Sequence, residues 1–382
     1  MRVMLSAGEA SGDNYGALLL NELTSRAPVE AFGLGGDLMQ ASGCELITHS
    51  REVAAVGITE ILRHIPRIYL SYRKLVRALR LRRPDLLVLI DFPDINFKLA
   101  RHAHRLGIPV LFFISPQIWA WKKWRIRLVR RFVTKMLVIF PFEEQFYRGH
   151  NVQVEFVGHP LADLPLPDVG REVFAKQHGL DPRKHWITLM PGSRRGEVQL
   201  NLPTMLEAVR LLDSSKNPSE YLLPVASTIS RELISDLCNK SGVKPVLLEQ
   251  DDARAALFHS RASIVASGTA TVEAALIGNP FVVVYRVSGL TYAVGKRLVT
   301  LEHYAMPNLI AGEEIVPELI QERFTAANVV SALEPLLTDS AQRNEMVRHL
   351  RALRGIMVRS DSTGSTAISR AADAVLALTT HG

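Results

Sequence analysis

Short apolar runs recur along the chain at residues 3–6, 31–34, 86–90, 110–114, 136–140 and 154–157. They return at 187–190, 222–225, 246–248, 264–266 and 281–285. Helical periodicity fills the intervals, and this alternation predicts α/β domains built on parallel sheets. The runs lack strict polar alternation, so both of their faces should be buried. Between the two series, Gly158-His159-Pro160-Leu161-Ala162-Asp163-Leu164-Pro165-Leu166-Pro167 places three prolines in ten residues, as expected of a linker or hinge. From about Thr325 onward the pattern is largely helical. The expected architecture is two doubly wound domains facing a cleft, with ligands at the carboxyl ends of the strands.

Length and composition agree with this. A chain of 382 residues exceeds one ordinary core, and its 47% hydrophobic and 22% charged content is that of a globular protein. Cys44 and Cys238 are the only cysteines; they form no C-x-x-C pattern and suit a reducing compartment. The first residues meet Glu9 and Asp13 too soon for a signal peptide. No window offers the ~20 apolar residues of a spanning helix, since the nearest, 262–285, carries Glu273, Asn279 and Pro280. A cytoplasmic protein that does not cross a membrane is expected.

Charge changes the picture. Residues 1–150 hold 22 Lys+Arg against 13 Asp+Glu, while the rest is slightly acidic. From Ile61, the apolar positions Ile65, Ile68, Tyr72, Leu75, Val76 and Leu79 form a helical stripe flanked by Arg67, Arg73, Lys74, Arg77 and Arg80. A second basic stretch opens with Trp121, Lys122, Lys123 and Trp124. Basic residues beside an apolar face and aromatics are what a helix at an anionic membrane surface needs. The stripe equally reads as a core face with solvated charges behind it.

Four turns after strands hold candidate chemistry. Ser6-Ala7-Gly8-Glu9-Ala10-Ser11-Gly12-Asp13 lacks a Walker lysine, and its acids disfavour phosphate, so a hydroxyl-rich ligand fits better. Asp91, in Asp91-Phe92-Pro93-Asp94-Ile95-Asn96, ends an apolar strand where a general base would be placed. Met190-Pro191-Gly192-Ser193-Arg194 offers backbone N–H groups and a guanidinium to a diphosphate. Ser267-Gly268-Thr269-Ala270-Thr271-Val272-Glu273 opens a helix N-terminus to an anion and sets a carboxylate one turn in, for ribose hydroxyls. Each also reads as an ordinary turn with a helix cap, a capping box to Glu273 included.

Together, G-E-A-S-G-D, D-F-P-D-I-N, S-P-Q-I-W-A-W, P-F-E-E-Q-F-Y, V-G-H-P-L-A-D, P-G-S-R-R-G-E-V, S-G-T-A-T-V-E and M-P-N-L-I-A-G, in this order from residue 7 to 312, resemble the lipid-A-disaccharide synthases. The resemblance implies a GT-B fold with an N-terminal acceptor- and membrane-facing domain (1–165, rejoined by 343–382) and a UDP-sugar-binding domain (166–342). It implies an inverting, metal-independent transfer from UDP-2,3-diacylglucosamine to 2,3-diacylglucosamine 1-phosphate, with no cofactor. Asp91 maps to the catalytic aspartate, and Gly192, Ser193, Arg194, Gly268, Thr269, Glu273 and Asn308 to the UDP-sugar. Glu9, Ser11, Gly12, Asp13 and Asn96 map to the acceptor side. Attachment would be peripheral, at the inner face of the inner membrane. The competing readings are a muramyl-lipid N-acetylglucosaminyl transferase, a UDP-sugar epimerase, and a non-catalytic polyanion binder. A nucleic-acid partner is not expected, because no nucleic-acid module is present and acids occupy the turns where phosphates would bind.

Overall fold

A computed structural model describes residues 1–53, 58–120, 122–213, 219–287, 302–359 and 364–379, without the side chains of 58–65. The chain forms two compact units, Met1–Asp163 with Met357–Gly382, and Leu164–Ile356.

The first unit holds seven parallel strands: β1 (Arg2–Ala7), β2 (Glu30–Gly35), β3 (Glu45–His49), β4 (Leu86–Ile90), β5 (Val110–Phe113), β6 (Lys135–Val138) and β7 (Val154–Phe156). Their order is β3-β2-β1-β4-β5-β6-β7, so the winding reverses between β1 and β4. The second unit holds β8 (Trp186–Met190), β9 (Glu220–Pro224), β10 (Val246–Leu248), β11 (Ala262–Ala266), β12 (Phe281–Tyr285) and β13 (Glu318–Ile320). Its order is β10-β9-β8-β11-β12-β13, with the reversal between β8 and β11. All pairings are parallel, as the apolar runs predict. The apolar pattern misses β3 and β13 for a physical reason. Each opens on a glutamate and holds only two apolar residues, Leu46 and Ile47 in β3 and Leu319 and Ile320 in β13, so neither forms an apolar run.

The core of the first unit gathers Met4, Phe32, Leu87, Leu89, Phe112, Met136 and Val138 from the sheet. Helix Ile58–Arg82 adds Leu75, Val76, Ala78 and Leu79, with Ile68 and Tyr72 packed against them. The described part of the apolar stripe is therefore a core face. The guanidinium and ammonium groups of Arg67, Arg73, Lys74, Arg77 and Arg80 stand on exposed positions, and Tyr69 and Leu70 beside them are 55% and 59% exposed. In the second basic segment Trp119 is buried, Lys122 half-buried, Lys123 exposed and Trp124 60% exposed; Trp121 lies outside the described residues. No helix among the described residues is long and apolar enough to cross a membrane.

The C-terminal helix Ala367–Thr379 returns to the first unit, as the resemblance implies. Arg26, at the end of helix Ala10–Arg26, donates to Asp373 Oδ1 at 2.6 Å and Ser369 Oγ at 2.6 Å. Arg370 is buried and donates through Nε to Val157 O at 2.8 Å, while Ala367 N donates to Asp163 Oδ2 at 2.6 Å. The proline-rich stretch begins with one helical turn, Pro160–Asp163, in which proline takes the first position, where its missing N–H costs nothing.

Candidate active site

At the reversal of the first sheet the turns after β1 and β4 interlock. Gly8 has no side chain because none fits: a Cβ there would lie 2.3 Å from the Phe92 ring. Asp91 (φ +43°) and Phe92 (φ +47°) take left-handed backbone conformations, and so does Ile114 (φ +63°) at the end of β5. For a β-branched residue this is a real outlier, held only where its surroundings over-determine it. Asp91 N donates to Ile114 O at 3.2 Å and Ile114 N to Leu137 O at 3.0 Å, which ties the strained residues to each other and to β6.

Asn96, expected on the acceptor side, is fully buried in helix Pro93–Arg105. Its Nδ2 donates to Asp91 O at 2.7 Å, Ser6 O at 3.2 Å and Ile90 O at 3.3 Å, and its Oδ1 accepts from Ser6 Oγ at 2.6 Å. The side chain is spent on fixing the backbone of Asp91. Asp13 is likewise buried, accepting from the N–H groups of Gly36 (2.6 Å), Leu38 (3.0 Å) and Met39 (3.1 Å), so it anchors the next βα turn. Gly12 packs on Ala7 and Ile90. Glu9 and Ser11 are half-buried at the rim, and Asp91 itself is half-buried.

The sequence gives no warning of the support beneath β5. Ser115 Oγ lies 2.6 Å from Tyr147 OH, Trp119 Nε1 donates to Glu143 Oε1 at 3.1 Å, and Phe140 N donates to Glu143 Oε2 at 3.3 Å. Glu143 is fully buried, and that burial pushes its carboxyl up to about 8. His159 packs on the Phe140 ring, with centroids 5.4 Å apart, and burial lowers it to about 3. Both groups are thus uncharged near neutral pH.

In the second unit the turns after β8 and β11 flank the corresponding reversal. Gly192 (φ +122°) is required, since a Cβ would meet Glu197 Oε2 at 2.7 Å. That carboxylate accepts from Ser193 N and Arg194 N at 3.3 Å each, and from Arg194 Nη1 at 3.1 Å. Ser193 and Arg194 are exposed, so the guanidinium is oriented yet accessible. Helix Thr269–Ile277 is capped by Gly268 (φ +153°) without a side-chain cap, and open space surrounds that glycine. The capping-box alternative thereby drops out. Glu273, half-buried in that helix, lies 3.7 Å from Arg254, and burial raises its carboxyl.

Asn308 is fully buried. Its Nδ2 donates to Val316 O (2.9 Å) and Glu318 Oε1 (2.8 Å), and its Oδ1 accepts from Ile315 N (2.9 Å) and Val316 N (3.0 Å). It closes the loop before β13 and has nothing left for a ligand. Asn201, which sequence reasoning missed, donates to Pro191 O at 3.1 Å and accepts from Arg286 N at 2.9 Å, joining the ends of β8 and β12. A basic cavity of about 370 Å³, lined by Arg171, His185, Arg261 and Arg343 among others, opens where β8 and β11 begin, at the sheet edge opposite these turns.

The family described as lipid-A-disaccharide synthetase matches residues 3–369. The lipid-A-disaccharide synthase of Acidobacterium capsulatum is 53% identical over 381 residues, covering 96% of this chain and 94% of that protein. The Koribacter versatilis enzyme of the same name is 51% identical, covering 99% and 98%. Among solved structures, a UDP-GlcNAc 2-epimerase from Neisseria meningitidis bound to UDP-GlcNAc aligns with a TM-score of 0.63 at 12% identity, covering 100% of both chains. A calicheamicin glycosyltransferase aligns at 0.59 and 17%, covering 100% and 98%. These two share the fold.

Two outcomes follow from the site's interior. Asn96→Ala strips the donor from three buried carbonyls and should lower stability by about 1–3 kcal/mol, the cost of unsatisfied buried polar groups, read by urea denaturation. Transferase turnover should fall further than this loss explains, because Asp91 O loses its 2.7 Å tether. Glu143 titrates near 4.5 when unfolded and near 8 when folded, so the folded state holds an extra proton between those values, and stability falls as pH rises through that window. His159 acts in the opposite sense, removing stability as pH drops from 6.5 toward 3. Glu143→Gln should therefore flatten the decline in melting temperature between pH 6.5 and 8 and leave the acid limb unchanged.

Proposed function

The chain belongs to the lipid-A-disaccharide synthetase family, and on that footing we propose that it transfers diacylglucosamine from UDP-2,3-diacylglucosamine to 2,3-diacylglucosamine 1-phosphate in one inverting step. It is a glycosyltransferase of GT-B fold that forms the disaccharide of lipid A. In our reading Asp91 takes the proton of the acceptor hydroxyl as the new C–O bond forms on one face of the donor sugar. The bond to the diphosphate breaks on the other face. The observation that carries this is the fixing of Asp91 at the reversal of the first sheet by Asn96, Gly8 and Ile114.

The departing UDP needs stabilisation of developing negative charge. Arg194, steered by Glu197, and the uncapped N-terminus at Gly268 and Thr269 supply it without a metal ion. Gly192 and Ser193 offer the close-approaching backbone. Glu273 accepts from ribose hydroxyls. Asn308 acts at one remove, holding its loop in place.

The acceptor is acylated and must be reached at a lipid surface. The proposed contact is the exposed side of helix Ile58–Arg82, with Arg67, Arg73, Lys74, Arg77 and Arg80 among Tyr69 and Leu70, joined by Lys123 and Trp124. Attachment is thus peripheral, to the cytoplasmic leaflet of the inner membrane.

Asp91→Asn should preserve folding, because asparagine tolerates the left-handed region, and should lower turnover by about 10²- to 10⁴-fold. Mass spectrometry of the products from the two diacylglucosamine substrates reads both the reaction and its loss. Near-parental turnover would remove Asp91 from the mechanism. Cosedimentation with anionic but not neutral vesicles is expected, reversed by salt, since each basic residue near an anionic leaflet contributes about 1 kcal/mol. Arg73, Lys74, Arg77 and Arg80 replaced together by Ser should abolish it while UDP binding persists. Parental cosedimentation by that variant would place the docking surface elsewhere.

A further inference from the structure

We propose that Arg125, assisted by Lys122, forms a phosphate-binding subsite beside Asp91 that receives the phosphate of the acceptor sugar. This deepens the transferase reading and rests on it.

Arg125 closes the helical turn Lys123–Arg125 and is 8% exposed. Its Nη2 meets Asp94 Oδ1, in the first turn of helix Pro93–Arg105 and three residues beyond Asp91. The guanidinium carbon lies 5.8 Å from the Phe97 ring centroid and 5.7 Å from that of Trp124, so two aromatic rings hold the group. Its Nε is buried and makes no hydrogen bond.

Two other enclosed arginines, half-buried Arg171 and buried Arg370, are used differently. Arg171 spreads its donors over the carbonyls of Pro182, His259 and Lys184, and Arg370 donates to those of Val157 and Ser365. Those are structural ties, with the charge distributed over fixed backbone dipoles. Arg125 instead has one carboxylate partner whose side chain is 72% exposed, against 10% for its own. An exposed carboxylate is held largely by water, so a better anion can displace it.

The surroundings favour such an anion. Lys122 is half-buried, and its ammonium is held below the usual range first by that burial and then by the charge of Arg125. Arg125 and Lys122 therefore share one partly desolvated place beside Asp94. Helix Pro93–Arg105, 13 residues long, starts at Phe92 with no side-chain cap, so its first N–H groups add positive potential at the same turn. A phosphate monoester carries about −1.5 to −2 at neutral pH and matches a guanidinium fork in two parallel hydrogen bonds. Asp94 supplies a single charge and stands exposed. Arg125 is bound to Asp94, three residues beyond Asp91, so one sugar can present a hydroxyl to Asp91 and its phosphate to Arg125.

The test compares the acceptor with and without its 1-phosphate. The parent should prefer the phosphorylated form, and Arg125→Gln should raise the KM for that form about 10- to 100-fold, the loss expected when a charged hydrogen bond goes. Transfer to the dephosphorylated acceptor should change much less, so the preference collapses. Lys122→Met should act in the same direction, and Arg125→Lys should recover part of the preference. An equal loss with both acceptors would make Arg125 a structural tie and overturn the proposal. Calorimetric titration with glucosamine 1-phosphate and with inorganic phosphate gives a readout that needs no turnover, and UDP titration reports folding. Parental protein should bind the sugar phosphate more tightly than inorganic phosphate, and Arg125→Gln should bind neither. Equal binding by parent and variant would also overturn the subsite. A parent that binds the sugar phosphate through Arg125 yet transfers nothing would fault the transferase reading and leave the subsite standing.

Discussion

One buried carboxamide sets the geometry on which the first unit's chemistry depends. Asn96 stands where β1 and β4 part, and it donates to the carbonyls of Ser6, Ile90 and Asp91 while accepting from the Ser6 hydroxyl. An amide side chain both donates and accepts there; a carboxylate would face three carbonyl oxygens with no proton to offer. The tie holds a chain that resists its own conformation. Left-handed backbone costs a residue with a Cβ about 1–2 kcal/mol, and Asp91, Phe92 and Ile114 all adopt it. Gly8 contributes by being empty, since the Phe92 ring fills the place of its missing side chain. The direction of Asp91 is thereby fixed by groups that need never touch a substrate.

The second unit repeats the device. Asn201 reaches back from helix Arg195–Asp213 to Pro191 O and receives Arg286 N, and Asn308 saturates four bonds to close the loop before β13. These amides are neutral, and that suits their place. A charged tie at the carboxyl end of a strand would add its own field where the proposed function has a diphosphate bound and released. Charge at these turns includes Arg194 with its steering partner Glu197, Glu273 beside Arg254, and the free end of helix Thr269–Ile277.

The fold was legible because burial on both faces leaves a sequence trace. Eleven apolar runs became strands of two parallel sheets, whereas β3 and β13 each hold only two apolar residues behind a glutamate and leave none. The turns were legible too, since glycines and acids at strand ends mark places where the chain must reverse. What the pattern does not carry is the direction of a polar side chain. Asp13, Asn96 and Asn308 read as ligand contacts, but each is buried and bonded to backbone groups outside its own turn. Helix Ile58–Arg82 was legible in part: its periodicity offered a core face with solvated charges behind it, and the sheet does cover the described part of that face. Glu143 gave no signal, because a buried acid and a solvated one look alike in a string.

The buried titratable groups near β5 explain why the rim can dominate the electrostatics. Around Phe140 lie an acid that burial raises to about 8 and an imidazole that burial lowers to about 3, so burial favours the uncharged form of each. Ionising either would place an unpaired charge in a water-poor interior, close to the turn that carries Asp91, and would compete with the potential set there. Keeping both neutral means that the field is written by Asp91, Asp94, Arg125 and Lys122 at the strand ends and by the arginines along helix Ile58–Arg82. Under the proposed subsite, a neutral floor beneath a charged rim would leave the phosphate of the acceptor sugar to meet Arg125 and Lys122 and its hydroxyl to meet Asp91.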